Sequence, residues 1–241
     1  MAASERRLRI LAQLTDGSGE HEVARLCEGS AAVTGLNGAG IMLMSGEVNL
    51  GSVGASDDVS ALIEESQFAL GEGPCVDAFR EDRSVLEPDL AAPTSVRWPA
   101  FAGSVLGAGA RAVFGFPLHL GQVRLGALDL YRDRPGSLTD DQHRDALTVA
   151  DIVTRAVLVI QADAPKGRLA AELEEGADLH LVVHQAAGRV AAQLDVGVGE
   201  ALVRLRAYAF GADRSLMLVA GDVVAGRLRF DRPADGSEAG R

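Results

Sequence analysis

The chain has 241 residues, a formal net charge of −11 and 47% hydrophobic residues, so it has the apolar content for a packed core, and domains of about 100–200 residues make one or two of them the expectation. No apolar run reaches the roughly 18 residues of a membrane span, and the start "MAASERRLRILAQL" has no signal-peptide core, because Arg6, Arg7 and Arg9 interrupt it. Two cysteines, Cys27 and Cys75, supply neither a disulfide framework nor a metal quartet, which makes a reducing, cytoplasmic location the expectation.

In chain order, "EHEVARLCEGSAAV" reads as an amphipathic helix, and "GAGIMLMS" and "EVNLGSVG" as two strands joined near Ser45-Gly46. "DDVSALIEESQFAL" is a helix with Asp57 or Asp58 as its N-cap. "GEGPCVDAFRED" follows, with Pro74 suited to a first helical turn. "RSVLEPDL" is a short strand and "VRWPAFAGSVLGAG" a helix or helical turn. "ARAVFGFPLHL" and "VRLGALDLYRD" form the clearest hairpin, turning at Gly121-Gln122; Val123, Leu125, Ala127 and Leu128 mark its second strand as largely buried. These elements make an α+β domain with an antiparallel sheet and flanking helices.

A long helix closes that domain, opening on a capping box of Thr139 with Gln142. Ala146, Val149, Val153, Ala156 and Ile160 step along it by three and four, a seam that suits either a dimeric coiled coil or packing on the chain's own sheet. Residues 1–162 form this first domain, 163–179 a linker, 180–230 a small three-helix domain and 231–241 a disordered tail. The three helices are expected at about 180–194, 199–211 and 214–229; in the last, Leu216, Val219, Ala220, Val223 and Val224 keep helical spacing. Residues 1–165 hold 13 basic and 23 acidic side chains, whereas residues 181–230 hold 6 and 4. That asymmetry suits a nucleic-acid contact or ordinary surface variation.

The stretches "LGEGPCVDAF", "RWPAF" and "RAVFGFPLHLGQVRLGALDLYRDRPGSLTDDQ" resemble, in that order, the GAF domains of actinobacterial transcription regulators. The C-terminal part resembles an ANTAR domain, an RNA-binding antitermination module. The resemblance rests on Ala186 and Gly188 in the first helix, on Ala201, Leu205, Arg206 and Ala209 in the second, and on Leu216, Val219, Ala220, Val223 and Val224 in the third. Arg189 departs from the apolar residue usual in the family, and Gly197 from its Ser or Thr cap. Together the resemblances imply a GAF-like sensor or dimerisation domain, a small all-α ANTAR-like domain, a homodimer, an RNA stem-loop in nascent transcripts as partner and a small-molecule signal. They name no cofactor and imply no membrane.

Arg204 and Tyr208 flank one side of the second helix's apolar face, and Arg206 and Phe210 the other. The arginines suit phosphates and Tyr208 suits stacking on a loop base; equally, the arginine stems can lie over neighbours while Tyr208 completes a core. Arg206 matches the family motif. On the first helix Gln185, Gly188, Arg189 and Ala192 lie opposite the apolar face, so that Gly188 suits close approach by RNA or by another helix. Arg214, near the start of the third helix, completes the expected RNA-binding set of Arg206, Arg204, Tyr208, Arg189, Arg214 and Gln185.

In the first domain Cys75, Trp98, Phe114 and Phe116 are candidates for a ligand pocket or for plain core. Cys75 near a helix start suits a lowered thiol pKa or a small buried residue. His143 and His184 lack partners at metal-ligand spacing, and no P-loop, nucleophile elbow or HExxH motif is present, so binding rather than catalysis is expected. The alternatives are a DNA-binding helix-turn-helix regulator, or a redox or ligand sensor acting through protein contacts.

Overall fold

Alternating inward and outward side chains on five strands, together with helices that each carry one apolar stripe, fold the first part of the chain into three layers. The computed structural model describes residues 3–15, 22–45, 48–92, 97–162, 170, 173 and 180–230. The chain divides into two compact units, Met1–Leu179 and His180–Arg241.

In the first unit the elements run α1 (Ala3–Thr15), α2 (Glu22–Thr34), β1 (Gly38–Ser45), β2 (Val48–Ala55), α3 (Asp58–Leu70), α4 (Pro74–Glu81), β3 (Val85–Glu87), α5 (Pro99–Leu106), β4 (Ala112–Leu120), β5 (Val123–Arg132) and α6 (Asp140–Ala162). The strands form one sheet in the order β2-β1-β5-β4-β3, with every neighbouring pair antiparallel. Ala39, Ile41 and Leu43 of β1, Ala112, Phe114, Phe116 and Leu118 of β4, and Leu128 and Leu130 of β5 face one side, where α1, α2 and α6 cover them. The residues between them face α3 and α4, and α5 packs on α3. This is the α+β arrangement expected from the sequence.

The helix starts follow local chemistry. Asp57 accepts from the Ser60 N–H while the Ser60 side chain bonds back to the Asp57 N–H, a full capping box. Thr139 and Gln142 make the same exchange at the start of α6. The helix α1 was not legible from apolar spacing, because three arginines dilute its stripe. Two of them find acids on α6: Arg6 lies 2.8 Å from Asp141 and 2.9 Å from Asp145, and Arg7 lies 2.5 Å from Asp151.

Three expectations need correction. The α6 seam of Ala146, Val149, Val153, Ala156 and Ile160 is not a free coiled-coil surface: it packs into the unit's own core, with Val153 0% exposed. The reason is that the sheet already presents Phe114, Phe116, Leu128 and Leu130 toward α6, and these need an apolar cover. β5 is buried from Gly126 to Arg132 as expected, but its start is not, Val123 being 60% exposed beside the turn. The third C-terminal helix is shorter than expected, since Ser215 caps its start and it ends at Val224, with Gly226 at φ +74° just beyond. The turn at residues 46–47, most of the linker and the tail at 231–241 lie outside the described residues.

In the second unit α7 (Leu181–Leu194), α8 (Val198–Gly211) and α9 (Leu216–Val224) share a small core. Val183, Ala186, Ala187, Val190 and Leu194 meet Ala201, Leu202, Leu205 and Ala209, and Leu216, Val219, Ala220 and Val223 close it. Among the described residues no helix is long and apolar enough to cross a membrane.

Candidate functional site

The α3/α4 side of the sheet holds an unusual group for a protein interior. Glu64 and Gln67 lie on α3, Cys75 in the first turn of α4 and Asp129 in the middle of β5, and all four are buried. Gln67 ties them together: its Nε2 donates to Asp129 Oδ2, and its Oε1 accepts the Cys75 backbone N–H at 2.8 Å. Gly73 has φ +135°, and a Cβ there would lie 2.4 Å from Gln67 Oε1, so only glycine fits both the backbone and the space. Gly40 pairs with Asp129 across β1 and β5, and a Cβ at Gly40 would lie 2.4 Å from Glu64 Oε1. That glycine leaves the room the Glu64 carboxyl occupies.

Donor atoms of Glu64, Cys75 and Asp129 all lie within 4.8 Å of one another. Both Glu64 carboxyl oxygens and Asp129 Oδ1 are buried and take no hydrogen bond from an N–H or alcohol group, so that these two carboxyls and the Cys75 thiol can pair only with one another, through a proton one of them keeps. Burial pushes the Glu64 carboxyl well above its usual range, and the neighbouring Asp129 adds to the effect. Asp129 is pushed up to about 6 by burial, against the pull of hydrogen bonds from Glu64, Gln67 and Cys75. The Cys75 thiol is also pushed up, first by burial and then by the two acids. Of the two readings of Cys75, the small buried residue holds and the lowered thiol pKa does not: desolvation and two nearby carboxyls outweigh the helix end.

The rest of "LGEGPCVDAF" serves α4 and α5. Glu72 Oε1 accepts the N–H groups of Ala100 at 3.0 Å and Phe101 at 2.9 Å, and so caps the start of α5. Asp77 accepts from Trp98 Nε1 at 2.9 Å and lies 2.9 Å from Arg97, whose guanidinium sits 5.0 Å above the Trp98 ring. Trp98 also meets Phe101 edge-on. The four pocket candidates are thus not brought together. Phe114 and Phe116 face the α2/α6 core, Cys75 lies across the sheet from them, and Trp98 is fixed by Asp77. Glu64, Gln67 and Asp129 were missed in the sequence; the available signal was an acid inside the apolar run "GALDLY".

In the second unit Gln185, Gly188 and Arg189 are exposed on α7, and among the described residues nothing lies within 4 Å of a Cβ built at Gly188. No other helix of that unit explains this glycine. Arg204 is exposed and pairs with Glu200 at 2.7 Å, and Arg206 is half-buried. Arg214 pairs with Asp222 at 2.6 Å, and Asp222 also holds Arg227 at 2.7 Å. Tyr208 packs edge-on against Phe230 with ring centroids 5.5 Å apart, and the Phe230 N–H bonds to Gln193 on α7 at 2.9 Å. Gln193 in turn lines a groove of about 320 Å³ with Arg189, Ala192, Val223, Gly226 and Arg229. Tyr208 and Arg189 are therefore linked through Phe230 and Gln193, while Arg214 belongs to a separate ion-pair group around α9.

No curated protein matches the chain. Similar solved structures include the GAF domain of a phosphoenolpyruvate-protein phosphotransferase from Coxiella burnetii, at 12% identity over 67% of this chain and 98% of that one, with a TM-score of 0.49. The GAF domain of the Acinetobacter phosphoenolpyruvate-protein phosphotransferase is 13% identical over 68% of this chain and 96% of that one, also with a TM-score of 0.49. Residues 19–158, more than half of the sequence, match the GAF domain family model, and the chain belongs to that family.

Proposed function

We propose that the chain is a cytoplasmic transcription antitermination regulator, in which the GAF domain senses a small molecule or holds a homodimer and the second unit binds an RNA stem-loop. The observation that carries this reading is the fit between motif and core. Of the positions that carry the ANTAR resemblance, Ala186, then Ala201, Leu205 and Ala209, then Leu216, Val219, Ala220 and Val223 are buried in three consecutive helices, while Gly188 is exposed and Arg206 and Val224 are half-buried. With those positions inside, Gln185, Arg189, Arg204 and Tyr208 are left at the surface. A homodimer has to use a surface other than the buried α6 seam.

The work of such a protein is binding rather than catalysis. It favours one RNA fold over a terminator, and this needs a difference in affinity between the two RNA states. A DNA-reading role fits less well, because α9 turns Leu218 outward, with Met217 half-buried, where a recognition helix needs polar base-reading side chains.

The test is hairpin-RNA binding by the full chain across a salt series. Arg206→Ala and Tyr208→Ala are each expected to weaken binding by about 1–3 kcal/mol if a base is contacted. Loss of one phosphate contact makes the salt slope shallower by about one unit. Tyr208→Phe keeps most of the affinity, because stacking uses the ring. Thermal melts accompany each variant, since Tyr208→Ala also removes the contact with Phe230. Unchanged hairpin binding by folded Arg204→Ala, Arg206→Ala and Tyr208→Ala variants sinks the assignment of this face.

A further inference from the structure

We propose that Glu64, Cys75 and Asp129 form a binding site for a divalent metal ion of the zinc class. Three observations meet at this point. The donor atoms lie within 4.8 Å of one another, a spread that small shifts bring to the spacing of a shared ion. Glu64 is 1% exposed and Asp129 2% exposed, yet three of their four carboxyl oxygens take no hydrogen bond from an N–H or alcohol group, and the two carboxyls and the Cys75 thiol are left to one another. Buried acceptors of that kind are costly unless something positive sits between them.

The third observation is the way the donors are held. Gln67 donates to Asp129 Oδ2 and leaves Oδ1 buried without an N–H donor. The same amide fixes the Cys75 backbone through its N–H. Such outer hydrogen bonds orient metal ligands, and Gln67 acts here as a positioning residue. Gly40 and Gly73 keep the space open for Glu64 and Gln67. Among the described residues no basic side chain figures among the groups that shift these two acids.

The donor set selects the ion. A thiolate with two carboxylates suits zinc or cobalt, whereas magnesium and calcium prefer oxygen alone. On binding, the Cys75 thiol gives its proton to solvent, as does any carboxyl still holding one. Three protein donors leave one tetrahedral position for a small exogenous donor.

The test uses the full chain, purified under reducing conditions, stripped with chelator, then unfolded and refolded in cobalt(II) or zinc(II). Refolding removes access to the buried site as an obstacle. One metal per chain is expected by elemental analysis, and the cobalt form is expected to show a thiolate-to-cobalt charge-transfer band. Cys75→Ser removes the band, Cys27→Ser keeps it, and Glu64→Gln and Asp129→Asn each lower cobalt affinity by about tenfold or more. A parent protein that refolds without stoichiometric metal, or whose cobalt form lacks the band, overturns the site. So does a band that persists in Cys75→Ser. The parent's own spectrum and metal content decide the matter even if a variant fails to fold.

Discussion

Val153 separates the two packings that the α6 seam allowed. The residue is 0% exposed and sits in the core formed by α2, α6 and the sheet. Val153→Ala removes two buried carbons at about 0.8 kcal/mol each, and the cavity left behind brings the loss to about 2–3 kcal/mol. For a unit of this size, about 2–4 °C of melting temperature corresponds to 1 kcal/mol, so a drop of roughly 5–10 °C is expected. Val153→Glu adds an unpartnered carboxyl in the same place, costing several kcal/mol more. That is a large share of a total stability of about 5–15 kcal/mol, and an insoluble or molten protein is the expected outcome. Val159→Glu is the control: Val159 lies on the same helix but is 69% exposed, and a change within about 0.5 kcal/mol is expected. Thermal unfolding and light scattering measure both effects. If Val153→Glu stays folded and merely changes from dimer to monomer, the seam is an interface after all and the core assignment is wrong.

Glu72→Ala is expected to destabilise the first unit by about 1–2 kcal/mol, read by denaturant unfolding, because two N–H groups at the start of α5 lose their acceptor. An unchanged midpoint with an unchanged slope would show that this cap contributes nothing. Gly188→Ala is expected to raise the stability of the second unit by about 0.5–1 kcal/mol, since the new methyl meets nothing within 4 Å. The same variant is expected to bind hairpin RNA less well, because the methyl stands where the RNA backbone would pass; full affinity in the more stable variant would leave Gly188 outside the interface.

What the sequence made legible was local. The N-cap at Asp57 or Asp58 and the capping box of Thr139 with Gln142 are set by residues at most three positions apart, and the three C-terminal apolar faces repeat within one helix. The Glu64 group was hidden because its partners are far apart: Gln67 and Asp129 are separated by 62 positions and meet only across a helix and a strand. The motif "LGEGPCVDAF" drew attention to Cys75, but Glu72 acts 28 and 29 residues away on α5, and Asp77 acts 21 residues away on Trp98.

Phe114 and Phe116, candidates for a pocket or for plain core, lie in the core for a reason of register. Counting back from the turn at Gly121-Gln122, Leu120 pairs with Val123 and His119 with Arg124. Continued without interruption, that count sets Phe114 opposite Asp129 and Phe116 opposite Ala127, on the same face as the acid. The strands instead shift register between Leu118 and His119, so Phe114 pairs with Leu130, Phe116 with Leu128 and Gly115 with Asp129. Because side chains alternate at every residue, one inserted position exchanges the two faces of everything beyond it. Both phenylalanines pass to the apolar α6 side, and the small residue Gly115 comes to lie beside Asp129. Neither flanking strand carries a residue pattern that announces the shift, since Leu118 and Gly126 are compatible with either register. What fixes the register is burial: the shifted pairing places Phe114, Phe116, Leu128 and Leu130 together under α6, whereas the unshifted one would set two large rings against Asp129. The irregularity therefore decides what stands opposite Asp129 on the α3/α4 face: Gly115 rather than Phe114, at a place where even a Cβ would lie 2.5 Å from the Pro74 carbonyl oxygen.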